Sequence, residues 1–183
     1  MKQIPAIFVI LVFGMIACNQ APMGRNGVAF KSAVQYNDYI VNRQAKHIQN
    51  VLDFSKAAGK NLDSAEKMLD KFTGETAIFV EELKDMPAYK GDSSLRDAAV
   101  RIFNFYKKVF QIDYPRIIQI RKKGDEMTNE ELEEMKDIVG KITRDEEGYD
   151  KSFHNIQKNF ADKNNIKLTE NKMQKKFEKE IDQ

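Results

Sequence analysis

A chain of 183 residues with 42% hydrophobic side chains is long enough to bury one core of ordinary size and fold as a single domain. Its 30 Lys and Arg stand against 28 Asp and Glu, and a net charge of +2 excludes the concentrated basic field of a nucleic-acid binder. One cysteine excludes an intramolecular disulfide, and four prolines, nine glycines and no tryptophan point to helices rather than to an all-β fold.

In chain order, Lys2 supplies a short positive start and Ile4 to Ala17 an apolar run interrupted by Pro5 and Gly14. The run falls short of the roughly 20 residues of a membrane span but fits the apolar region of an export signal. The alternative is an uncleaved N-terminal helix that buries the thiol of Cys18. Met15-Ile16-Ala17-Cys18 resembles the lipobox of bacterial lipoproteins: an aliphatic position, a tolerant one, a small residue, then the cysteine. That resemblance implies cleavage after Ala17, removing residues 1–17, with diacylglycerol on the Cys18 sulfur and acylation of the new amino terminus. It also makes membrane lipid a partner, and two or more acyl chains anchor stably where one does not. Asn19, rather than Asp, follows the cysteine; by the same resemblance this favours the outer membrane over the inner.

Residues 18–26, with "NQAPMGRN" after the cysteine, read as a tether whose eight residues reach at most about 28 Å. The bundle is expected over 27–163. Helix one, Val28 to Ala58, carries Phe30, Val34, Val41, Ile48 and Val51 as an apolar seam widened by Tyr36, Ile40 and Phe54. Gly59 ends it, and Asp63 with Glu66 is the expected cap of helix two, whose seam runs from Leu62 to Met86. Pro87 closes that helix. Helix three, Ser94 to Lys123, holds Pro115 inside its pattern, which predicts a kink about one turn upstream. Thr128 with Glu131 is a capping box, and Met127 with Leu132 a hydrophobic staple, at the start of helix four. That helix runs on through Met135, Val139, Ile142, Tyr149, Phe153, Ile156 and Phe160. Four long helices with short connections predict an all-α, antiparallel up-down four-helix bundle. Residues 164–183, with Met173, Phe177 and Ile181 among lysines, add a basic accessory helix or tail.

Candidate chemistry is sparse. No Glu stands three residues before a His, so the di-iron pattern of helical bundles is missing, and no metal or cofactor is expected. Asp150 and His154, four apart, suit a surface carboxylate-imidazole pair or half of a metal site. Asp113 and Glu146 fall on core positions of helices three and four. They are either buried acids with upward-shifted pKa values or, where the stripe drifts at Pro115 and Gly148, rim acids beside a base such as Arg116 or Arg144. Asn37 and Gln44 interrupt the seam of helix one in the manner of residues that fix register. "IFNFYKKVF" has the residues for base stacking, but helical spacing turns its rings into a core. Phosphate-loop, serine-hydrolase and zinc-protease motifs are missing.

With its signal and the N-terminal helix "YNDYIVNRQ", Tyr36 to Gln44, the chain also resembles the uncharacterised helical surface lipoproteins of Gram-negative bacteria. Three functional expectations follow. The first is a non-enzymatic envelope module that offers a helical face to another envelope protein or glycan. The second is a small-ligand or metal carrier with a pocket inside the bundle near Asp113 and Glu146. The third is an enzyme using those two carboxylates as an acid-base pair.

Overall fold

A computed structural model describes residues 23–25 and 27–168; Cys18, the signal segment and residues 169–183 lie outside the described residues. Among the described residues the chain is all-α, four helices packed together with no strand. The helices are α1 (Ala33–Ala58), α2 (Leu62–Lys84), a third rod built of α3 (Ser94–Lys108), a π turn (Val109–Asp113) and α4 (Tyr114–Arg121), and α5 (Asn129–Lys163).

Helix α1 begins five residues later than the apolar pattern predicts. Ser32, in extended backbone, accepts a hydrogen bond from the Gln35 amide at 3.2 Å and so caps the helix there. The end of the expected tether folds back on the start of the expected helix one, with the Gly24 amide donating to the Val28 carbonyl at 2.8 Å. Gly24 presses on the end of α2 so closely that a Cβ would stand 2.0 Å from the Asp85 carbonyl oxygen, and only glycine fits. Phe30, outside the helix, still enters the core against the rings of Tyr36 and Tyr39.

The cap of α2 is Asn61, accepting from the Ser64 amide at 2.8 Å, rather than the expected Asp63 and Glu66. Those two acids hold Lys122 instead, each at 2.6 Å. Between α2 and α3, Tyr89 and Asp92 exchange backbone hydrogen bonds around Lys90 and Gly91, both at positive φ. The kink expected from Pro115 is the π turn: the Tyr114 amide donates to the Val109 carbonyl five residues back. Proline has no N–H to continue the ladder, and widening the turn by one residue makes room for its ring. The capping box forms as expected, the Glu131 amide donating to Thr128 Oγ1 and the Thr128 amide to Glu131 Oε2, each at 3.2 Å. Thr128→Ala is expected to cost about 1 kcal/mol in urea unfolding, the usual worth of such a cap.

Packing follows the chain: α1 on α2, α2 on α3, α3 on α5. The core divides into two clusters. One joins Tyr36, Ile40, Leu83, Ile102 and Phe103 to Phe153 and Phe160 of α5. The other joins Phe54, Leu69, Phe72, Phe110 and Ile118 and takes nothing from α5. Consequently the buried residues of α5 are Phe153, Phe160 and Ala161, all in its second half. Its first half is held by charge, with Arg116 gripping Glu134 through two bonds of 2.7 and 2.6 Å and Lys123 paired with Glu131. Val139 and Tyr149, expected in the core, are 48% and 38% exposed.

Candidate functional site

An α-helix buried on one side against α2 and α3 exposes whichever stripe lies beyond that contact. In α1 the buried heptad is Ala33, Ile40, His47 and Phe54. The expected seam of Val34, Val41 and Ile48 lies one position further round, and with Val51 it lines a groove instead of the core. Across the groove stand Ile142, Glu146, Glu147, Asp150, Phe153, His154 and Gln157 of α5; Phe105, Tyr106, Val109, Phe110 and Tyr114 make the floor. The volume is about 920 Å³. At one end α1 and α5 are clasped together, Gln157 Nε2 donating to Asn37 Oδ1 at 2.8 Å and Phe160 stacking on Tyr36 at 5.4 Å. Ile166 and Leu168 border the same groove.

Polar groups converge on its middle. His47 is 5% exposed and lies flat on Tyr106, ring centroids 3.7 Å apart and planes 17° from parallel. Burial lowers its pKa to about 3, so the ring is neutral at physiological pH. Its Nδ1 has no hydrogen-bond partner among the described residues. Burial raises the Glu146 carboxyl, and the charge of Asp150 raises it further. The hydroxyl of Tyr106 is pushed up by burial and then by Glu146 and Asp150, and that of Tyr114 goes to about 12 by burial and then by Glu146 and Asp113. Half-buried carboxylate, neutral imidazole and un-ionised phenols therefore share one apolar wall, an arrangement able to donate to and accept from a bound molecule.

The two acids singled out in the sequence have different surroundings. Glu146 lines the groove. Asp113 is not among the lining residues; it pairs with Lys108 at 3.0 Å across the π turn. Asp113 and Glu146 thus do not form the joint pocket expected of them. Asp150 and His154 both border the groove, and no hydrogen bond or ion pair joins them. Asn37, read as a register residue, does tie α1 to α5, and Gln44 faces the groove. His47 has no Glu three residues before it and so carries no metal-binding signature; what marks it in the sequence is the heptad spacing with Ile40 and Phe54. Among the described residues no group of three or more His, Cys, Asp and Glu is placed to hold a metal ion, and no helix is long and apolar enough to cross a membrane. Cys18 lies outside the described residues. Comparison with protein-family models, with curated proteins and with solved structures found no match.

Proposed function

We propose that this chain is a lipid-anchored protein of the cell envelope that binds a small, largely apolar ligand in the groove between α1 and α5, without catalysis. The observation that carries this reading is the groove itself: the apolar stripe of α1 and a mixed face of α5, Ile142 and Phe153 among polar side chains, look at each other across about 920 Å³ instead of packing together. That volume lies within the range of roughly 300–1,000 Å³ typical of ligand sites. The apolar surface is recessed rather than convex, which favours a ligand over docking of an envelope protein or glycan on an outer face. In this reading the helices run up and down in antiparallel order. The anchor is the acylated Cys18 of the lipobox, in the outer membrane.

Both core clusters draw on residues after Gly27, so a chain beginning at Asn19 keeps its whole described core. That soluble form is expected to bind the neutral dye Nile red with enhanced fluorescence. Ile142→Trp, which fills the groove, is expected to abolish the enhancement. Val139→Trp, on the same helix but outside the groove, should leave it intact. Equal signals from the two variants would refute the site. For the anchor, fatty-acid labelling that survives Cys18→Ala would refute the lipidation.

A further inference from the structure

Many of the charged side chains of this protein are paired. Arg43 holds Glu82 at 2.7 Å, Arg116 holds Glu134, Lys108 holds Asp113, Lys122 holds Asp63 and Glu66, and Lys163 holds Asp92. On the groove wall, by contrast, Glu146, Glu147 and Asp150 form no ion pair or hydrogen bond with any described residue. Asp38 adds a fourth carboxylate, and Lys167 is the single Lys or Arg among the described lining residues. An acidic stripe on a water-facing helix explains itself, but Glu146 is half-buried against the apolar floor. There an uncompensated carboxylate is costly. A second, independent sign of a missing partner lies beside it. His47 is 5% exposed and has an orphaned Nδ1, although a buried ring nitrogen is normally hydrogen-bonded.

We propose that the ligand of this groove is a cationic amphiphile, a protonated amine on an apolar body, with the ammonium seated at Glu146 and Asp150 and the body lying over Ile142, Ile48 and Phe110. The ammonium supplies the three donors that two carboxylates can accept and brings the charge that the wall lacks. His47, held neutral, adds no like-charge repulsion. An anionic amphiphile would meet four carboxylates and one lysine, and is excluded by the same count of charges. The inference rests on the groove being a ligand site, and the experiment separates the two.

Displacement of Nile red from the form beginning at Asn19 is followed with decylamine, decanol and decanoate, each below its aggregation concentration. Decylamine is expected to displace the dye at a concentration about tenfold lower than decanol, the worth of one charge-assisted pair, and decanoate not to displace it. In the double variant Glu146→Gln, Asp150→Asn, measured against that variant's own dye affinity, decylamine falls to the level of decanol. If decylamine and decanol act alike on the wild type, or if the preference survives in the variant, the amine is overturned while the groove stands. If Nile red itself does not bind, the groove reading falls first.

Discussion

Replacing Phe160 by Ala is expected to destabilise the protein by about 3–5 kcal/mol, the range for deleting a fully buried phenyl ring. Phe160 is 2% exposed, stacks on Tyr36 at 5.4 Å and meets Tyr89 edge-on at 5.6 Å. The position matters more than the ring. Of the three buried residues of α5, Phe153 and Phe160 are the large ones, and no residue of its first half reaches the core. The loss is a large part of the 5–15 kcal/mol that stabilises a typical domain. Urea unfolding should therefore show a lowered midpoint with an unchanged slope. Tyr149→Ala on the same helix, where the ring is 38% exposed and touches Phe105 at 5.1 Å, should cost less than about 1 kcal/mol. Similar losses from the two substitutions would mean that α5 is not anchored at its second half. Because Gln157 and Phe160 clasp α5 to α1 at one end of the groove, Phe160→Ala should also weaken Nile red binding in conditions where most of the protein remains folded.

The helices were legible because their ends are written in local chemistry. Thr128 with Glu131, Gly59 and Pro115 act on the backbone within one turn, so their effects appear where the residues stand. Ser32 and Asn61 are the caps of α1 and α2, although the apolar pattern around Phe30 and the acids at Asp63 and Glu66 are the stronger sequence signals. Periodicity reveals that a helix has an apolar face but not what covers it. The stripe of Val34, Val41 and Ile48 has the spacing of a bundle core, yet the covered heptad is its neighbour, Ala33, Ile40, His47 and Phe54. One step along the helix turns a side chain by about 100°, enough to move a residue from core to groove. A histidine in the buried row and valines in the open one misled the reading about which face packs. Whether Glu146 was core or rim depended on the same angle, and the answer lies between: half-buried, on the wall of an open groove.

Acidification should expose the histidine in that buried row. Between pH 7 and pH 4 the wild type is expected to lose about 3 kcal/mol more stability than a His47→Leu variant. An unfolded chain holds this imidazole near its ordinary pKa of about 6.5. In the folded protein burial lowers it to about 3. Through the interval between those values the unfolded state binds more protons, so stability rises with pH and the full contribution is present only above the unfolded pKa. Leucine titrates in neither state. Acid losses from carboxylates held low elsewhere, such as Asp92 at the Ser94 amide and Lys163, occur in both proteins and cancel in the comparison. The rings of Tyr106, Phe103 and Phe110 pack around His47, leaving its charged form little but apolar surface. Urea unfolding at the two pH values measures the difference; parallel pH dependences in the two proteins would show that the ring protonates in place. In that event Glu146 and Asp150 would be counter-ions of His47, and the groove would no longer need a cation from outside.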